Sequence, residues 1–138
     1  MTAKEYLKQY NQIVYEIMLT TASIDELTDR ATSITASTDG ERVQTSSSPD
    51  KLGGLVASIA DLKTKRFHQN QKAIKMLSRI EKTIKQVPDT RLQLILQLHY
   101  IRRMTWGDIA QQIGFKNERH VHRLHAQALE EVEKIINK

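Results

Sequence analysis

Arg119 and Arg123 stand four positions apart, so any helix that carries them turns both toward one side, at ~100° per residue. A guanidinium offers a rigid fork of N–H donors that fits guanine O6 and N7 in a major groove, or two oxygens of a phosphate. Ala126 continues the same line and is small enough for a backbone to come close, and His120, His122 and Gln127 flank it. Val121, Leu124 and Ala128 define the opposite, apolar side. The candidate DNA-binding set extends to Lys116 and Asn117 just before this helix, and to Arg102 and Arg103 upstream, where phosphate contact is expected. Glu130 lies further along the line, so a duplex is expected to have diverged from the helix by that point.

The same segment is dense in histidine, but metal chemistry is not expected. His120 and His122 project about 200° apart on a helix, and no histidine pair there has the i, i+4 spacing of a helical zinc site. His68 and His99 stand alone in the sequence, and Trp106 is assigned to packing rather than to base stacking. No nucleophile–base pairing, phosphate loop or carboxylate cluster stands out, so no catalytic residue, no metal and no cofactor is assigned, and the protein is not expected to be an enzyme.

The elements that must position these side chains are helices. Thr105-Trp106-Gly107-Asp108 resembles a capping box with Asp in the usual Glu or Gln position. Ile109 and Ile113 then share a face, Ala110 is small where a second helix must cross, and Gly114 suits a left-handed turn. Asn117 is expected to cap the next helix. These features predict helices at about 105–113 and 117–136 in the order of a helix-turn-helix, the second being the reading helix. A further helix, from about Asp89 to Arg102, follows the break at Pro88. Its Leu92, Leu94, Ile95, Leu96, Leu98 and Ile101 predict burial on more than one side.

Residues 1–87 are expected to form a coiled-coil-like antiparallel hairpin, and 88–138 a three-helix DNA-binding domain. Over 4–35, Tyr6, Tyr10, Ile13, Ile17, Thr20, Ile24, Leu27, Ala31 and Ile34 alternate by four and three, the 3.5-residue period of a helix seam. Over 49–87 the same alternation links Leu52, Leu55, Ile59, Leu62, Arg66, Gln69, Ala73, Met76, Ile80, Thr83 and Val87, weakest at Arg66 and Gln69. Ser48-Pro49-Asp50 announces the second helix, and the Ser/Thr-rich stretch 36–48 is expected to be a loop. One hairpin has a thin core, which predicts a homodimer or higher homo-oligomer.

Charge follows this layout. Residues 1–50 carry −4, residues 51–104 carry +9 and residues 105–138 balance at zero, within a net charge of +5. Lys65, His68, Lys72, Lys75, Arg79 and Lys82 form a basic stripe on the second helix. It either holds phosphates without sequence choice or is solvated and partly neutralised by Glu16, Asp25, Glu26 and Asp29. Only 5% of residues are aromatic and none is cysteine, which fits an all-α chain and excludes disulfides and Cys-ligated zinc fingers. No apolar run approaches the ~20 residues of a membrane span, and the N-terminus opens an amphipathic pattern instead of a signal peptide.

Residues 92–129 resemble region 4 of bacterial sigma factors, through Thr105-Trp106-Gly107-Asp108-Ile109-Ala110, Ile113-Gly114, Val121, Leu124 and Ala128-Leu129. The full layout, with its long helical N-terminal half and Glu118-Arg119-His120-Val121-His122-Arg123-Leu124-His125, resembles the ArpU/RinA-type phage transcriptional regulators. The resemblance implies a sigma-region-4-like fold, sequence-specific binding of double-stranded DNA at promoters, late gene control in the cytoplasm of a bacterial host, and groove contacts at Arg119, His120, His122 and Arg123. Gly114-Phe115-Lys116-Asn117-Glu118 is one residue longer than the family's usual turn, which shifts the register of the reading helix. Two other readings compete: a DNA-packaging subunit similar to phage small terminases, and a helical module that docks on RNA polymerase with weak DNA binding.

Overall fold

A computed structural model describes residues 1–38 and 48–138, and every regular element among them is helical. Helix α1 is Ala3–Thr38, α2 is Ser48–Lys85, and α3 is Thr90–Leu96, which continues into a π-helical stretch, Gln97–Ile101. Helix α4 is Trp106–Ile113 and α5 is Glu118–Ile136. The chain divides into two compact units, one made of Met1–Val14 with Lys72–Lys138 and the other of Tyr15–Gln71.

Helix boundaries differ from the sequence pattern by a few residues. The expected loop begins later, because α1 holds to Thr38, and Ser48 already belongs to α2. Residues 39–47 lie outside the described residues, as do the side chains of Ser48 and Pro49 on which the expected cap rested. Helix α2 stops at Lys85 rather than Val87. There the N–H groups of Gln86 and Val87 turn back to the Thr83 and Ile84 carbonyls at 3.1 and 3.0 Å, a tightened last turn ahead of Pro88.

Within the unit Tyr15–Gln71 the two long helices run antiparallel. Thr20 donates its hydroxyl to Gln69 Oε1 at 2.8 Å, and Arg66 Nη1 donates to Thr21 Oγ1 at 3.3 Å, so partners descend α2 as they climb α1. The seam positions Ile17, Thr20, Ile24 and Leu27 of α1, and Leu55, Ile59, Leu62, Arg66 and Gln69 of α2, are all buried or half-buried. Arg66 and Gln69, the polar members of the seam, meet two threonines.

In the other unit, Leu7 of α1 and Ile80, Ile84 and Val87 at the end of α2 enter one core with Leu92, Ile95, Leu96, Leu98 and Tyr100. Ile109 and Ala110 of α4 and Val121, Leu124, Ala128 and Val132 of α5 complete it. The Tyr6 hydroxyl hydrogen-bonds Thr83 Oγ1 at 2.8 Å, and the Ala3 N–H donates to Glu133 Oε2 on α5 at 2.9 Å. Compactness therefore groups the first turns of α1 and the last turns of α2 with the C-terminal helices. Ala3, Leu7 and Ile84 lie outside the seam series, yet all three are buried because they face this second partner.

Asp89 caps α3, its Oδ1 accepting from the Arg91 N–H at 2.8 Å. That bond holds its carboxyl below the ordinary value. Of the apolar residues expected to be buried after Pro88, Leu94 is instead 43% exposed. The π-helical stretch closes with Arg102 N–H on the Gln97 carbonyl at 3.0 Å. Its wider turn brings both Leu98 and Tyr100 into the core, two positions apart, which a regular α-turn does not do. Arg103 then takes a left-handed conformation (φ 57°) and reverses the chain, with Met104 N–H on the Leu98 carbonyl at 3.0 Å.

Leu7 is fully buried against the C-terminal helices. Leu7→Ala is therefore expected to destabilise their unit by roughly 2–5 kcal/mol, measured as a lower urea midpoint of Trp106 fluorescence. An unchanged midpoint would mean that α1 contributes nothing to this core.

Candidate functional site

Helices α4 and α5 are joined by a four-residue turn whose geometry follows from its residues. Thr105 caps α4, its Oγ1 accepting from the Asp108 N–H at 3.2 Å. At the other end Gly114 has φ 94°, a conformation that costs L side chains strain, and the N–H groups of Gly114 and Phe115 both donate to the Ala110 carbonyl, at 3.0 and 2.8 Å. Phe115 folds back onto the core edge. Asn117 holds the N-cap position of α5 with extended backbone, but its exposed side chain makes no capping bond, contrary to the sequence expectation. The charge at this helix start comes from Glu118, whose Oε1 would lie 3.0 Å from a Cβ built on Gly107, over the first turn of α4. A carboxylate there sits at the positive end of α4 as well as of its own helix.

Helix α5 is sharply two-sided. Val121, Leu124, His125, Ala128 and Val132 are buried, while Arg119, His122, Arg123, Ala126, Gln127 and Glu130 are exposed. His120 is half-buried between the faces. Its ring packs edge-on against Phe115 with centroids 4.4 Å apart, and Arg123 Nη2 donates to its Nδ1 at 2.9 Å. His122 Nε2 lies 3.7 Å from Glu118 Oε2. Among the described residues, Arg119 and Gln127 have no hydrogen bond or ion pair, and the exposed Lys116 likewise has none.

Arg102 and Arg103 are exposed in the segment that leads from the π-helical stretch to α4 and are not bonded to α5. The structure thus brings Arg123 together with His120, and His122 together with Glu118, and leaves Arg119, Lys116, Gln127, Arg102 and Arg103 separately displayed. The basic residues of α2 are exposed in both units, Lys65 and His68 in one, Lys72, Lys75, Arg79 and Lys82 in the other. No ion pair among the described residues neutralises any of them, and Glu26 pairs with Arg30 instead, at 2.6 Å.

The sequence gave no hint of the ring cluster behind this face. His99, isolated in sequence, stacks on Trp106 at 3.7 Å with an interplanar angle of 16°, and meets Tyr100 edge-on at 4.8 Å. His125 lies 4.5 Å from the Trp106 ring centroid, and its Nε2 shares a 2.7 Å hydrogen bond with the Tyr100 hydroxyl. His99 Nδ1 bonds the Met104 carbonyl at 3.1 Å. The cluster joins the π-helical stretch, the start of α4 and the middle of α5, so it fixes the roll of α5. Among the described residues no group of three or more His, Asp and Glu is placed to hold a metal ion.

Burial pushes His125 down to about 4 and Tyr100 up to about 12, and lowers His99 as well. Below the ordinary histidine value of 6.5 the unfolded chain takes up a proton at His125 that the folded chain refuses. Stability that is full above 6.5 is therefore lost as pH falls toward about 4, with His99 adding in the same direction. Urea midpoints across that range are expected to fall for the natural chain and to fall less steeply for His125→Leu. Equal slopes would remove His125 as the cause.

No protein-family model matches the chain, and neither a curated protein nor a solved structure matches it.

Proposed function

We propose that this protein binds double-stranded DNA, with α5 entering the major groove and Arg119 and Arg123 reading base edges. The observation that carries this reading is the division of α5: one side is buried in the core, and the other presents two arginines one turn apart with the small Ala126 beyond them. Arg119 has no partner within the described residues, so its guanidinium comes to the duplex with its donors unspent. Arg123 gives one donor to His120, which restrains the side chain while leaving the rest of the fork free. Lys116, Arg102 and Arg103 supply charge for phosphates beside the groove contact. The role of a phage transcription regulator rests on the resemblance of residues 92–129 to sigma region 4.

A second reading, a module that docks on RNA polymerase, is favoured by the zero net charge of residues 105–138 and by Glu118, an exposed acid paired with His122 at the start of α5. Selection from a random duplex pool distinguishes the two. A consensus is expected for the natural chain. Arg119→Ala with Arg123→Ala is expected to lose ~1–3 kcal/mol of base discrimination per arginine while retaining salt-sensitive nonspecific binding. If the natural chain selects no sequence, the DNA reading fails and polymerase becomes the partner to test.

A further inference from the structure

Within the unit Tyr15–Gln71, α1 is apolar on two sides. One is the seam. The other carries Tyr15, Met18, Leu19 and Ala22, spaced i, i+3, i+4, i+7, and all four are exposed, Leu19 at 71% and Tyr15 at 56%. Tyr15 and Ala22 project roughly 170° from the seam at ~100° per residue, so the packing that buries Ile17, Thr20 and Ile24 leaves them bare. A compact apolar quartet of this kind marks a contact surface, whereas singly exposed apolar residues do not.

We propose that a second copy of this chain covers this face, the two α1 helices packing antiparallel about a two-fold axis between Met18 and Leu19. In that arrangement the paired positions sum to 37. Tyr15 lies opposite Ala22 and Met18 opposite Leu19, large against small and medium against medium, so the patch fills its own gaps. Charge selects the direction. Asp25, Glu26 and Asp29 continue the same side of α1 and are exposed. Parallel packing stacks these acids on their own copies, whereas antiparallel packing carries them to positions 12, 11 and 8. Those positions are Gln12, Asn11 and Lys8, so Lys8 meets Asp29 of the other copy, twice by symmetry. The acids also make the face repel nucleic acid. An apolar centre between charged ends that match in reverse order suits one partner, the same helix turned around.

The inference stands apart from the DNA reading, and its test needs no DNA. By sedimentation equilibrium the full chain is expected to be a dimer, and Leu19→Glu is expected to weaken self-association by about tenfold or more, with unchanged helical circular dichroism because Leu19 is exposed in the single chain. Asp29→Lys is expected to weaken it as well, and Lys8→Asp with Asp29→Lys to restore it. Since the chain has no cysteine, Leu19→Cys reports on the axis and is expected to join two copies through a short bismaleimide, while Asp29→Cys does not. A monomeric natural chain, a Leu19→Glu variant that still dimerises, a charge swap that fails to restore pairing, or crosslinking at Asp29→Cys equal to that at Leu19→Cys overturns the proposal.

Discussion

The packing of Leu7, Ile80, Ile84 and Val87 against the three C-terminal helices is the constraint on which the candidate surface depends. Helices α3, α4 and α5 are 7, 8 and 19 residues long, and helices this short are marginal in isolation. Their apolar sides exceed what they can cover among themselves. The first turns of α1 and the last turns of α2 supply the missing wall, and the Ala3 N–H bond to Glu133 ties the start of the chain to α5. A helix that must present Arg119 and Arg123 at a defined angle needs such a backing, because rotation of α5 by one residue position would turn its buried Val121 and Leu124 toward solvent.

The ring cluster refines the same constraint. Aliphatic side chains fix how deeply α5 packs but tolerate some roll, whereas a stacked ring pair and a buried hydrogen bond do not. His125 meets both demands at once, since it packs on Trp106 and bonds Tyr100. The arrangement works only while His125 is neutral, which burial ensures near neutral pH. The π-helical stretch is part of this geometry, because its extra residue puts Leu98 and Tyr100 on the core side together and leaves His99 between them to stack on Trp106.

Much of this was legible in the sequence, for identifiable reasons. The seam positions follow a strict alternation of three and four, so a single periodicity recovered the buried line of both long helices. Thr105, Gly114 and the Val121–Leu124–Ala128 face each carry a local signal, a cap, a left-handed turn and an apolar stripe. What stayed hidden has no local signal. Leu7 and Ile84 sit one position beside the seam, and only a third partner accounts for their burial. A π-turn has no residue signature of its own, and His99 looks solitary because its neighbours come from Trp106 and His125. Asn117 is the reverse case: the right residue type at the right position, yet without the bond that its type suggests. Phe115 was within reach, since an apolar residue directly after a glycine helix end commonly folds back onto that helix.

The polar layer in the hairpin seam shows what an apparent weakness in a pattern is for. Arg66 and Gln69 interrupt an otherwise apolar line, and a purely hydrophobic reading makes them the softest point of α2. Across from them stand Thr20 and Thr21, and the bonds Thr20–Gln69 and Arg66–Thr21 satisfy all four side chains at once. Sliding one helix past the other by a turn would set Gln69 and Thr20 against isoleucine or leucine and strand half-buried polar groups, whereas an all-leucine seam would accept several registers at similar cost. Some stability is given up for a single alignment. That choice fits a hairpin whose outer side carries an ordered sequence of apolar and acidic positions, since such a pattern is useful only if the helix beneath it does not slip.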